Sequence, residues 1–170
     1  MVFPRRWTAT WFAFGLLLAG GCDPTRADDG PGDEPAEAAR RVSDDPVVYE
    51  VTIGSEGDAL LYDVRRFTVE AESLVRLTLV NSSSPAKGML HNWLLVMPGT
   101  EDAVAAQGLV AGYYRSWVPE SEDVLASGRA LKAGERELIE FRAPSQAGSY
   151  PYLCTIPGHA QTMRGVMLVE

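Results

Sequence analysis

The segment Tyr152-Leu153-Cys154-Thr155-Ile156-Pro157-Gly158-His159-Ala160-Gln161-Thr162-Met163 sets a thiol, an imidazole and a thioether along one short stretch of chain. Four residues separate Cys154 from His159, and three separate His159 from Met163. Pro157 and Gly158 suit a tight reversal that turns His159 back toward Cys154. Upstream, Gly148, Tyr150, Tyr152 and Cys154 recur at period two, which directs both tyrosine rings and the thiol to the inner face of a strand. Pro151 belongs at the start of that strand, because a proline inside a central strand removes a ladder hydrogen bond. Cys154 then stands at the rim of a barrel, above aromatic packing.

Working outward, Val47 to Ile53 alternates around Tyr49 and Val51, Leu60 to Val69 continues in the same style, and Leu74 to Val80 is rich in leucine and β-branched residues. His91 to Val96, Leu138 to Phe141 and Val166 to Val169 read as further strands. Turn residues separate the early strands at Gly54 to Asp58, Glu70 to Ser73 and Asn81 to Gly88, a spacing typical of an antiparallel all-β domain. Thr100, Glu101 and Asp102 offer a helix start before an alanine-rich stretch to Val110. The expected fold is an all-β sandwich with one short helical insertion.

The chain holds only two histidines, His91 and His159, and two cysteines, Cys22 and Cys154. That inventory rules out a disulfide scaffold, a four-cysteine zinc site and a three-histidine site. Cys154, His159 and Met163 form a soft donor set, and His91 supplies a second imidazole, completing a trigonal arrangement with a weak axial methionine. This is the blue-copper pattern. Copper(I) favours soft sulfur and copper(II) favours nitrogen, so a rigid compromise site lowers the reorganisation that accompanies electron transfer. Zinc would take the same thiolate and imidazoles, but a methionine adds nothing to a tetrahedral zinc site.

On these residues the chain resembles the azurin and auracyanin branch of the cupredoxins. Tyr152 to His159 is similar to that family's ligand loop almost residue for residue, and His91-Asn92-Trp93 is similar to its upstream ligand strand. Plastocyanin-like members have only two residues between cysteine and histidine. The resemblance implies a cupredoxin Greek-key β-sandwich holding one type-1 copper ion. It implies that His91, Cys154, His159 and Met163 are the ligands, that Asn92 and Thr155 join the upstream strand to the ligand loop, and that Trp93 packs in the core. Leu90 stands where azurins have a glycine, and its carbonyl is the candidate for a weak axial contact. The disulfide that azurins carry between early strands has no counterpart here. By the same resemblance His159 is the electron port, ringed by Met89, Ile156, Pro157 and Ala160 as a docking patch. Redox partners such as a c-type cytochrome or a terminal oxidase follow from it.

The N-terminus reads as an address. Arg5 and Arg6 precede an apolar run from Trp7 to Leu18, and Ala19, Gly20 and Gly21 lead to Cys22, a secretory signal over residues 1–21. The small residues before Cys22 resemble the bacterial lipoprotein processing site, which makes Cys22 the lipid attachment and places the protein on the periplasmic side of a bacterial membrane. From Asp23 to Pro46 there are eight acids, three arginines, four prolines and no aromatic residue, a composition that cannot offset its ordering entropy by burial. Residues 22–46 are read as an extended acidic tether and residues 47–170 as the copper-binding domain.

A formal net charge of −8 argues against nucleic-acid binding, which needs a basic face. No acid occurs from Ser73 to Thr100 or from Phe141 to Val169, the two stretches carrying every ligand, whereas Lys87, Arg142 and Arg164 fall within them. The copper end is therefore expected to be apolar to mildly basic. Four protein ligands leave no open position for a substrate, so one-electron transfer is expected rather than catalysis. The alternative is periplasmic copper binding and delivery, although the tether lacks the methionine or histidine clusters that delivery proteins commonly add.

Overall fold

The computed structural model describes residues 47–170. The signal, the acylation of Cys22 and the tether expected from the sequence all lie outside these residues. Among the described residues, no helix is long and apolar enough to cross a membrane.

Eight strands and one α-helix build the domain in the order β1 (Val48–Gly54), β2 (Arg66–Val69), β3 (Leu74–Val80), β4 (His91–Val96), α1 (Glu101–Ala111), β5 (Val124–Leu131), β6 (Arg136–Arg142), β7 (Gly148–Leu153) and β8 (Arg164–Val169). They form two sheets, β1-β3-β6 and β2-β8-β7-β4-β5. The pairing is mixed rather than wholly antiparallel, because β1 runs parallel to β3 and β2 parallel to β8. The cause is topological. The chain crosses to the other sheet between β1 and β3, and that excursion supplies the long connection a parallel pair requires.

Alternation explains the inner faces. Val75, Leu77 and Leu79 of β3 are buried, as are Met167 and Val169 of β8, and they meet Trp93, Leu95, Leu131, Tyr150 and Tyr152 in one core. The ring of Tyr152 lies near Tyr62, Phe67 and Trp93, at centroid separations of 5.5, 5.8 and 5.6 Å. Gly165, paired with Tyr152 across β7 and β8, leaves room for that ring.

β4 departs from alternation, since all six of its residues are buried. Its other face carries Leu94 and Val96, which pack with Val104 of α1 and Leu153 of β7 in a second cluster. A strand covered on both faces reads as a continuous apolar run. The helical insertion thus covers β4 and β7 on this face. It begins at Glu101 as expected, although the Thr100 hydroxyl donates back to the Met97 carbonyl instead of capping the helix.

Two further expectations are corrected, and one strand, β5, was not anticipated. The strand read over Leu60 to Val69 is confined to Arg66–Val69; the residues before it are irregular, with Tyr62 buried and bridged singly to Ser55. β5 had no counterpart in the sequence reading. Pro151 sits within β7, not at its start, and is tolerated because the β4 pairing has already ended at Tyr152↔Leu95.

Candidate metal centre

Two chain segments meet at one end of the sandwich. His91 opens β4, and Cys154 follows β7 at the head of a loop that returns to β8 at Arg164. The loop closes on itself, since Cys154 N donates to Met163 O at 3.0 Å. His159 N donates to Ile156 O at 3.0 Å, with Pro157 and Gly158 between them and Gly158 at φ +85°. Proline followed by a left-handed glycine is the signature of a type II turn, and it swings His159 back over Cys154. One helical turn follows, with Met163 N donating to His159 O at 2.9 Å, and it returns Met163 to the base of the loop.

The donor atoms of His91, Cys154 and His159 all lie within 4.8 Å of one another. Cys154 Sγ is 3.5 Å from His159 Nδ1, and the two imidazole centroids are 5.1 Å apart. Cys154 and Met163 are wholly buried, His91 is 1% exposed, and His159 retains 9%. Both ring nitrogens of His91 are buried without a hydrogen-bond partner among the described residues. A buried nitrogen left unpaired is costly, and a metal on one of them removes part of that cost. Burial and the neighbouring His159 lower the His91 pKa to about 4, and burial also lowers that of His159, so both rings offer neutral lone pairs at pH 7. Burial pushes the Cys154 thiol up to about 12, opposed by the Asn92 and Ile156 backbone N–H groups that favour the thiolate. One thiol, two neutral imidazoles and a thioether in the same loop fit one type-1 copper ion and not a hard cation.

Asn92 and Thr155 are joined by two hydrogen bonds. Thr155 N donates to Asn92 Oδ1 at 2.8 Å, and Asn92 Nδ2 donates to Thr155 Oγ1 at 2.8 Å. The register of β4 against β5 slips between His91 and Trp93, so the peptide groups of Asn92 find partners elsewhere. Its carbonyl accepts from Tyr62 Oη at 2.6 Å.

Several contributors were not singled out from the sequence. Asn81 Nδ2 donates to Met89 O at 2.9 Å and to Leu131 O at 2.8 Å, fixing the approach to His91 and its β5 partner. Ser116 O accepts from Asn92 Nδ2 at 2.7 Å, and Trp117 O accepts from Thr155 Oγ1 at 2.7 Å. Asparagine after a strand and a serine in a loop carry no local signal of such roles.

The expected surface around His159 is only partly exposed. Pro157 is exposed, Met89 and Ala160 are half-buried, and Ile156 is 7% exposed and packs into the core. Leu90 is half-buried against that same core. Leu109, Val110, Tyr113 and Tyr114 are exposed along α1 and the turn after it, and Leu109 lines a surface groove with Ile156, Gly158 and Ala160. Asp102 of α1 reaches Arg164 at 2.6 Å, so an acid from outside the ligand stretches pairs with one of their cations.

Comparison with known proteins gives concordant relatives, although no protein-family model matches the chain. Auracyanin-A of Chloroflexus aurantiacus is 35% identical over 128 residues, covering 74% of this chain and 75% of that protein. Azurin iso-2 of Methylomonas sp. is 33% identical over 127 residues, covering 71% of this chain and 97% of that protein. The solved structure of auracyanin A from Chloroflexus aurantiacus, described as a "blue" copper protein, superposes with a TM-score of 0.67 at 33% identity, covering 72% of this chain and 99% of the other.

Proposed function

The chain belongs to the azurin and auracyanin branch of the cupredoxins, and from that premise we propose that it is a membrane-tethered one-electron carrier whose copper is held by His91, Cys154, His159 and, axially, Met163. The observation that carries the assignment is the convergence of three buried donor atoms within 4.8 Å. Bound there, copper supplies a one-electron exchange between its cuprous and cupric states. The Leu90 carbonyl, one residue before His91, would be the candidate for a further weak axial contact.

The chain's own residues set the conditions for that exchange. Cys154 must release its thiol proton when metal enters, because a coordinating thiol is deprotonated. The backbone N–H groups of Asn92 and Ile156 then stabilise the thiolate. Bonds from Asn92 and the type II turn hold the loop in one geometry, which limits rearrangement between redox states. His159, with residual exposure, offers the route to the surface, and Met89, Pro157 and Ala160 make up the docking patch, with Ile156 buried beneath it. A c-type cytochrome or a terminal oxidase fits the partner role. With all donors supplied by protein, no substrate position is left, and the protein carries electrons rather than turning over a substrate.

In this reading residues 1–21 direct export, Cys22 carries lipid, residues 22–46 tether the domain 47–170, and the copper works on the periplasmic side of the membrane. Metabolic labelling with a fatty acid tests the anchor: label is lost in Cys22→Ser, and its persistence there rejects the assignment. Copper(II) loading tests the centre: an intense thiolate-to-copper band in the visible, abolished in Cys154→Ser, supports the proposal, and a colourless complex overturns it. Met163→Leu keeps the colour and raises the reduction potential, since a weak axial donor favours the oxidised state; an unchanged potential removes Met163 from the axial position.

A further inference from the structure

We propose that the pair Ser116–Trp117 is a positioning device for the copper site, a backbone clip that ties together the residues directly following two of the ligands. This rests on the assignment of His91 and Cys154 as ligands made above. Asn92 follows His91, and Thr155 follows Cys154. Ser116 O accepts from the side chain of Asn92, and Trp117 O accepts from that of Thr155, both at 2.7 Å. Two successive carbonyls of one turn thus serve both halves of the site.

The turn is held in a conformation that L-residues avoid. Ser116 has φ 54° and Trp117 φ 55°, and these are the only consecutive non-glycine residues with positive φ among the described residues. Strain of this kind persists only where surrounding contacts over-determine it. Here Ser116 N donates to Tyr113 O and Trp117 N to Gly112 O, each at 2.9 Å, while the Trp117 ring meets Tyr113 edge-on at 5.5 Å. The clip is also seated tightly from α1. A Cβ at Gly108 would lie 2.8 Å from Trp117 O and 3.0 Å from Thr155 Cβ, so the helix approaches the clip and the ligand loop only through a residue without a side chain. A turn that merely connected α1 to β5 would have no need to direct both carbonyls away from its own chain neighbours and into the site.

Ser116→Gly and Ser116→Val separate positioning from connection, because glycine accepts positive φ and a β-branched residue opposes it. In the metal-free protein, hydrogen exchange at the Thr155 amide is expected to quicken about tenfold or more in Ser116→Val and to stay at the parent rate in Ser116→Gly. In the copper-loaded protein, Ser116→Val shifts the visible band and the reduction potential, and Ser116→Gly leaves both in place. Thr155→Val reproduces the shift, and Thr155→Ser, which keeps the hydroxyl, restores the parent values. Gly108→Ala favours the isolated helix by propensity, yet it quickens Thr155 exchange and moves the band. If Ser116→Val does not fold, Gly108→Ala and the Thr155 pair decide the matter.

The proposal is overturned if Ser116→Val, Thr155→Val and Gly108→Ala lower or raise the unfolding midpoint while exchange, band and potential stay at parent values. A parent protein that shows no visible band on copper loading refutes the electron-carrier reading instead, and the exchange rates of the metal-free variants still judge the clip.

Discussion

Asn92→Ala probes the junction on which the centre's rigidity depends. Asn92 is wholly buried, and its amide makes three hydrogen bonds: Nδ2 to Ser116 O at 2.7 Å, Nδ2 to Thr155 Oγ1 at 2.8 Å, and Oδ1 from Thr155 N at 2.8 Å. Each bond contributes about 1 kcal/mol net. Truncation also strands the Thr155 amide in a buried position, which costs about 1–3 kcal/mol more. The expected loss is therefore about 4–6 kcal/mol. Thr155 Oγ1 keeps its bond to Trp117 O, so its hydroxyl adds little to the penalty. Urea unfolding of the metal-free protein measures the loss without a contribution from copper binding. A loss below about 1 kcal/mol would refute the reasoning, because it would mean that solvent or a shifted loop satisfies Thr155 at no cost.

Replacing Gly165 by alanine drives a methyl group into the Tyr152 ring, which is fixed by its hydroxyl bond to Val64 O at 2.7 Å and by three aromatic neighbours. A loss of about 2–4 kcal/mol is expected in thermal unfolding, reduced when Tyr152→Val is added; strict additivity of the pair would refute the clash. Stability of the metal-free protein should fall on acidification. The His91 pKa is lowered to about 4 in the fold, against about 6.5 unfolded, so its contribution is present above 6.5 and is lost as pH falls toward 4. That single group predicts a decline of about 2 kcal/mol between pH 7 and pH 5, and a profile no steeper than that of His91→Gln would count against it. Metal binding at pH 7–8 should release about one proton per ion, from Cys154, because the thiol begins near 12 and both imidazoles are already neutral. A pH-stat titration reads this directly, and zero release would show that the metal-free site already holds a thiolate.

The parts legible in the sequence are those whose physics is local. Alternation marked β1 and β7, leucine and β-branched content marked β3, and the spacing from Cys154 to Met163 suggested a donor loop, because its turn chemistry lies within the loop itself. β5 escaped because Val124–Leu131 carries Ala126, Ser127, Gly128 and Ala130, small residues that blur an alternation of apolar and polar positions. The stretch before Arg66 looked like strand because it is apolar, yet Tyr62 is buried as a lone bridging residue that feeds a hydrogen bond to Asn92 O. Parallel pairing was hidden for another reason. Direction within a sheet depends on how often the chain has crossed to the other sheet, and no residue type encodes that count.

The unlettered part of the centre is long-range backbone chemistry. Asn92 and Thr155 lie 63 positions apart, Thr155 and Trp117 lie 38 apart, and Asn92 and Ser116 lie 24 apart. The acceptors contributed by Ser116 and Trp117 are main-chain carbonyls, which every residue possesses, so identity at those positions carries almost no signal of the role. What identity does carry is permission: Gly108 permits the approach of α1, and Gly158 permits the turn beneath His159. The same insertion that supplies the carbonyls also brings Asp102 to Arg164, so the basic character read from acid-free segments is partly neutralised by an element that sequence order places elsewhere. If the proposed electron-carrier role holds, docking at this end is expected to be governed by the apolar surface around Leu109 and Pro157 more than by charge, since a surface ion pair contributes little and is screened by salt.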